Sequence, residues 1–290
     1  MLQFLNLFYF LIFTELLEKI TPKKSLGQHF LHDKNIARNI VELLDVPDNA
    51  LVLEIGSGTG VLTDFLLAKN IQLISVEIDH RSVEILQQKY SDFLGKNYFI
   101  YENDFLKIDL RKISEEFGKK IYVIGNIPYY ITSPILFHLF DYSDYLVKSV
   151  LMVQKEIAQR LKAKQRTKDY GILSLALQNY GKISKVHDVP ASCFLPPPKV
   201  TSAYFDIVFH KENEGIVPSE FRKKVHRMIR IAFQQRRKKL SNCLKSYFSS
   251  ENIDFNDLPE SIEKYFSQRP EELSLQEFYN LFLFLEKYRK

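Results

Sequence analysis

Cysteine is scarce in this chain: Cys193 and Cys243 are the two in 290 residues, far apart and without metal-like spacing. A disulfide framework is therefore excluded, and the cysteine usage is that of an intracellular, here cytoplasmic, protein. The seven histidines form no HxxxH pair and no cluster with cysteine, so no metal is expected. A GxxxxGK[ST] loop is missing, which disfavours a nucleoside triphosphate as ligand. The apolar stretch over residues 2–13 spans about twelve residues, against the ~20 that a bilayer crossing needs. Neither a basic start nor a small-residue cleavage site accompanies it, so membrane insertion and secretion are not expected. Internal repeats and low-complexity segments are lacking too.

What is present is apolar material for a large core, 46% of the residues, and a mild net charge of +5 with a pI near 8.9. Residues 1–22 end in Glu15, Glu18 and Lys19. They read either as an amphipathic extension packing on the body of the protein or as sequence upstream of the true start.

From residue 33 helical and strand patterns alternate, as in a parallel α/β sheet. Asp33 suits the N-cap of a helix to about Leu44, with Ile36, Ile40, Val41 and Leu44 on one face. Strands are expected at Leu51–Ile55, Ile71–Val76, Tyr98–Tyr101, Ile121–Ile124 and Ser149–Val153, then near Lys182–His187 and Ala203–Phe209. Helices are expected over residues 61–68 and 80–94 and after Val153. Residues 23–210 thus form an α/β domain. The polar segment 211–218, holding Gly215 and Pro218, reads as a linker, and residues 219–290 as a small all-helical domain.

Four polar groups fall at or just beyond strand ends: Glu54, Glu77, Asp104 and Asn126. In an open α/β sheet those ends form the ligand crevice. Gly56-Ser57-Gly58-Thr59-Gly60 opens the helix after the first strand, and its glycines let a ligand approach the backbone. Glu77, about twenty residues on, can accept bonds from both hydroxyls of a ribose. Asp104 can accept from an adenine amino group. An adenosine carrying no phosphate fits this set, and the cofactor expected is S-adenosyl-L-methionine. Asn126-Ile127-Pro128-Tyr129 suits a planar base with an exocyclic amine: an amide oxygen to accept from it, a stiff proline, and a ring to stack on.

Residues 221–245 carry ten cations and no carboxylate. A solvated helix face is the bland explanation. A phosphate-rich substrate is the sharper one, with Arg222, Lys223, Arg236, Arg237, Lys238 and Lys239 as the RNA-binding residues.

The motifs together resemble the small-subunit ribosomal RNA adenine dimethyltransferases. The similarity runs in order through Lys24-Ser25-Leu26-Gly27-Gln28-His29-Phe30-Leu31, Leu53-Glu54-Ile55-Gly56-Ser57-Gly58-Thr59-Gly60, Glu77, Asn103-Asp104-Phe105 and Gly125-Asn126-Ile127-Pro128-Tyr129-Tyr130. It continues through Val153-Gln154-Lys155-Glu156, the stretch from Phe194 to Ala203, and Ala232-Phe233-Gln234-Gln235-Arg236-Arg237-Lys238, covering about residues 23–245. The resemblance implies a Rossmann-like, seven-stranded methyltransferase sheet with its last strand antiparallel, followed by a helical domain. It implies cofactor contacts from Gln28, His29, Leu31, Gly56, Gly58, Glu77, Asp104 and Asn126. His29 stands where many relatives have Asn, and Tyr130 where Asn is common.

The implied reaction is direct methyl transfer to the N6 amines of two adjacent adenosines in a loop near the 3′ end of small-subunit rRNA. The partner is an immature small ribosomal subunit, and the enzyme is expected to act as a monomer. Asn126 and the Ile127 carbonyl would hold the amine, with Pro128 stiffening the turn. Tyr129 would stack on one face of the base and Phe194 cover the other. Three rivals are a large-subunit rRNA methyltransferase of the macrolide-resistance branch, a DNA adenine methyltransferase, and a binding-only relative. The Val153–Glu156 and Phe194–Val200 segments favour the small-subunit branch, and the intact cofactor loop argues against lost activity.

Overall fold

The computed structural model describes residues 22–23, 27–212, 214–255 and 258–290, without the side chain of Ser261. The expected extension, Pro22 apart, lies outside the described residues, as do Lys24, Ser25 and Leu26 of the opening motif.

The chain divides into two compact units. The first comprises the residues up to Leu136, Tyr145–Lys155 and Lys185–Asp206; the second comprises Phe137–Asp144, Glu156–Ser184 and Ile207–Lys290. The sheet is built from β2 (Ala50–Ile55), β3 (Ile71–Glu77), β4 (Tyr98–Glu102), β5 (Ile121–Asn126), β6 (Leu146–Gln154), β7 (Gly181–Lys182), β8 (Val186–Val189) and β10 (Ser202–Phe209). A separate two-residue pair joins β1 (Phe30–Leu31) to β9 (Phe194–Leu195). The order is β4-β3-β2-β5-β6-β10-β7, with β8 also pairing β10. Strands β2 to β6 pair in parallel, and β10 runs antiparallel to both β7 and β8. The α/β class and the antiparallel final strand are as expected from the sequence.

Parallel neighbours need crossovers, and helices supply them. Strand β2 is buried along its whole length, which is why it reads as an unbroken apolar run. Helix α1 (Lys34–Leu44) is capped by Asp33, whose carboxylate accepts from the Asn35 and Ile36 amides, and it buries Ala37, Ile40, Val41 and Leu44.

One expected strand is broken. Gly181 and Lys182 pair with Phe209 and Val208, and Val186 restarts pairing opposite Phe205. Between them the Lys185 amide leaves the ladder for the Asp206 carboxylate at 3.0 Å.

The second unit is mostly helical. Its core holds Tyr170, Leu175, Val225, Met228, Ile229, Phe278 and Phe282. Helix α2 (Ile172–Tyr180) contributes to it, although the sequence reading did not single it out. It buries seven of its nine residues, so the amphipathic period that betrays a surface helix is missing. Among the described residues no helix is long and apolar enough to cross a membrane.

Candidate cofactor and base site

From β2 the chain winds outward one way through β3 and β4, then returns to place β5 on the other side of β2. The switch point therefore lies between β2 and β5, where the diverging crossovers leave a crevice at the carboxyl ends. A cleft of about 290 Å³ opens there, at the small end of the range for small-molecule sites. Gln28, His29, Leu31, Gly56 and Gly58 line it, as do Glu77, Asp104 and Asn126. Ile127, Pro128 and Tyr129 complete the wall. All but one of the expected cofactor and base residues thus meet in one place.

The exception is Phe194, for which the expectation must be corrected. Its ring is buried to 2% exposure in the core beside Leu31, Val150 and Met152, and it does not line the cleft. Pairing of β9 with β1, Phe194 opposite Leu31, fixes it there. A large apolar side chain on a paired strand is drawn into the nearest core.

The glycine loop fits a ligand close to the backbone. Gly58 has φ +54°, and a Cβ on it would meet the Phe30 ring at 3.1 Å. Ser57 Oγ is buried beside the cleft, where its hydroxyl pulls on the Glu54 carboxylate. Glu77 closes the loop from the other side. One carboxylate oxygen accepts from the Gly58 amide at 2.9 Å, the other from the Ile78 and Asp79 amides, each at 2.9 Å. Burial raises its pKa and these three bonds oppose the rise. Asp104 caps the turn after β4 by accepting from Leu106. A bound adenosine would find the expected acceptors and a backbone cradle, so the residues present fit the cofactor.

Glu54 forms part of the cleft lining. Its Oε2 accepts from Thr63 Oγ1 at 2.7 Å and Ser75 Oγ at 3.3 Å. Burial pushes its pKa up to about 7, against the pull of those hydroxyls. Asp79, also buried, goes the other way: Arg81 holds it well below the usual carboxylate range, with help from Gln28 and Lys23.

Asn126 Nδ2 donates to the His29 carbonyl at 2.9 Å. That bond fixes which end of the amide is which, and leaves Oδ1 without a partner among the described residues. Ile127 is anchored by its amide to Met152 O at 2.9 Å, and Pro128 follows. Tyr129 shares a 2.6 Å hydrogen bond with Ser202 Oγ, and the His29 ring stacks on it at 5.6 Å and 24°. The His29 Nδ1 is 2.8 Å from the Pro196 carbonyl, which makes it the protonated nitrogen. Tyr130 stands 61% exposed at the rim, its ring 3.0 Å from where Gly27 would carry a Cβ.

Ile78 and Leu106 are among the lining residues that went unforeseen. Ile78 is 56% exposed although apolar, and Leu106 follows the Asp104 turn. An apolar residue directly beyond a strand-terminal acid was the available signal for Ile78.

The basic segment sorts differently. Lys223, Arg237, Lys238 and Lys239 are exposed. Arg222 is not: at 2% exposure it cannot meet a phosphate, which corrects its assignment to RNA. Its guanidinium donates to the carbonyls of Val217, His210, Lys211 and Glu214, pinning the linker onto helix α3 (Ser219–Ala232). Arg236 is half engaged, bonded to Glu271 and to the Thr167 and Lys168 carbonyls.

A family model described as ribosomal RNA adenine dimethylase matches residues 20–286. Ribosomal RNA small subunit methyltransferase A of Phocaeicola vulgatus is 40% identical over 262 residues, 90% of this chain and 89% of the relative. Among solved structures, a dimethyladenosine transferase from Plasmodium falciparum superposes with a TM-score of 0.71 at 26% identity, covering 90% of this chain and 98% of that one. The 23S rRNA methyltransferase ErmE superposes with a TM-score of 0.62 at 22% identity, over 89% and 99%, a likeness of fold alone.

Proposed function

The chain belongs to the ribosomal RNA adenine dimethylase family and is an S-adenosylmethionine-dependent enzyme that dimethylates N6 amines of adenosines in small-subunit rRNA, and we propose that Asn126 is the residue that aims the amine. The observation that carries this is the 2.9 Å bond from Asn126 Nδ2 to the His29 carbonyl, which commits Oδ1 to the cleft.

The cofactor supplies a methyl group on a sulfonium sulfur. The amine of adenine is a poor nucleophile because its lone pair is delocalised into the ring. Asn126 Oδ1 and the Ile127 carbonyl accept its two N–H bonds, hold the nitrogen and favour the pyramidal form whose lone pair attacks. The nitrogen held by Asn126 and Ile127 would form its new bond to the methyl carbon as the carbon–sulfur bond breaks with its electron pair going to sulfur, and would then lose one proton to water. Positioning and preorganised dipoles supply the rate. Glu77 and Asp104 hold the adenosine end of the cofactor, while Gly56 and Gly58 let it lie against the loop.

Tyr129 stacks on the target base, which must leave any helix to enter the cleft. His29 already covers one face of the tyrosine, so the base takes the other. The substrate is two adjacent adenosines in a loop near the 3′ end of the small-subunit rRNA, within an immature subunit in the cytoplasm, and the enzyme works as a monomer. Incubation with unmodified small-subunit particles and labelled cofactor, followed by nucleoside mass analysis, is expected to yield N6,N6-dimethyladenosine. Label on another nucleoside alone, or label taken up by large-subunit RNA in a parallel incubation and not by these particles, would overturn the assignment.

A further inference from the structure

The segment 162–168 lies outside the basic run that the sequence singled out, yet it is equally cationic. Lys164, Arg166 and Lys168 are exposed there. Arg166 has φ +67°, a left-handed conformation that a long side chain adopts at a cost unless the surroundings enforce it. They do enforce it. The Arg166 amide donates to Glu271 O at 3.2 Å, and the Gln165 amide nitrogen donates to Glu272 O and to the Glu277 carboxylate. Thr167 closes the turn by donating through both its amide and its hydroxyl to Lys164 O.

Arg236 joins this loop to the basic run. Its Nε donates to Glu271, and its Nη2 donates to Lys168 O at 2.7 Å and Thr167 O at 3.4 Å. Arg237, Lys238 and Lys239 follow directly, all exposed. Among the described residues none of these six cations forms an ion pair, although Lys224, Arg227, Arg236 and Arg289 of the same unit all do. Acids do lie near: Asp169 is exposed beside Lys168, and Glu277, whose pKa is lowered against burial chiefly by hydrogen bonds from Ser274 and Gln165, also feels the charge of Arg166. Six cations without an ion pair among the described residues, on two loops held by one guanidinium, make a preorganised polyanion surface.

We propose that Lys164, Arg166 and Lys168 form, with Arg237, Lys238 and Lys239, one composite docking surface for the phosphate backbone of folded rRNA, with Arg236 as the tether between the two loops. The inference rests on the RNA substrate proposed above and extends it to a segment outside the basic run. Phosphate contacts set register and affinity without reading sequence, and each releases counterions on binding. Arg236 has spent its fork on Glu271 and two carbonyls, so it positions the surface.

The test compares three variants with wild type: K164Q/R166Q/K168Q, R237Q/K238Q/K239Q, and Arg236→Lys. Filter binding to unmodified small-subunit particles is measured across a salt series, with calorimetric S-adenosylmethionine binding as the control for folding. Each triple variant is expected to flatten the salt slope by up to ~2–3, at ~0.7–0.9 per phosphate contact, with cofactor affinity unchanged. Arg236→Lys keeps the charge but loses the fork, so it is expected to weaken RNA binding and to speed tryptic cleavage within residues 164–168. A wild-type slope in K164Q/R166Q/K168Q, with methyl transfer by wild type intact, overturns the composite surface alone. Wild-type enzyme that transfers no methyl to the particles overturns the substrate reading beneath it. Arg236→Lys with unchanged binding and unchanged cleavage removes the tether and, with it, the inference.

Discussion

Replacing Asn126 by alanine removes the side-chain oxygen proposed to aim the amine, and the structure allows the consequence to be separated into two parts. The bond to the His29 carbonyl is lost, which is worth ~0.5–1.5 kcal/mol of stability for an ordinary intramolecular hydrogen bond. Both groups are only part-buried, so water can replace the lost donor and the protein should stay folded. The second part falls on the reaction. Removing a preorganised dipole from a developing charge costs ~2.7–4 kcal/mol, or ~10²–10³ in turnover. Cofactor affinity should stay within about tenfold, because the glycine loop and Glu77 are untouched; one pKa-sized increment of 1.4 kcal/mol is about that factor. Asn126→Asp gives a sharper comparison. It keeps two acceptor oxygens but has no donor for His29 O, so nothing holds its carboxylate in line, and turnover should stay at least about tenfold below wild type. Single-turnover transfer of tritiated methyl at saturating RNA, beside calorimetry for the cofactor, measures both. A folded Asn126→Ala protein turning over within about threefold of wild type would refute the aiming role. Intact turnover at saturation with cofactor affinity down a hundredfold or so would make Asn126 a cofactor ligand only.

Tyr129→Phe keeps the stacking ring and loses only the Ser202 bond, so its turnover should lie within about tenfold of wild type, whereas Tyr129→Ala should lose ~1–3 kcal/mol of base binding, read as the substrate KM. Burial pushes the Glu54 pKa up to about 7 from an ordinary 4.5, so the folded protein holds the extra proton between those values and stability falls as pH rises through that window. The loss is on the order of 3 kcal/mol and complete above about pH 7, by ~1.36 kcal/mol per pKa unit. Thermal unfolding of Glu54→Gln should lack that decline; a decline parallel to wild type would count against a buried, proton-holding Glu54. Arg222→Ala leaves three linker carbonyls and that of His210 without their donor and should cost ~2–5 kcal/mol in denaturant unfolding, while the salt slope of RNA binding by the folded protein stays at the wild-type value. A flattened slope with unchanged stability would return Arg222 to the RNA surface.

The sequence by itself determined the sheet and most of the cleft. Parallel strands buried on both faces must be written as apolar runs, and a ligand crevice must sit at their carboxyl ends, so Glu77, Asp104 and Asn126 could be read from local order alone. Their motifs are contiguous, as is the glycine loop. What only the tertiary structure decided are facts about partners distant in sequence. Phe194 looks like a base-covering aromatic until its pairing with Leu31, more than 160 residues earlier, turns it into the core. Arg222 looks like its cationic neighbours until four carbonyls, those of His210 and of three linker residues, enclose it. Which end of the Asn126 amide faces the cleft depends on a carbonyl 97 residues away. The cations of residues 164–168 become part of a larger surface only because Arg236 reaches across 68 residues to hold them. Composition and period fix which residues prefer burial and which prefer water. Which charge finds a partner, and which is left facing solvent, depends on chain crossings that no local pattern encodes.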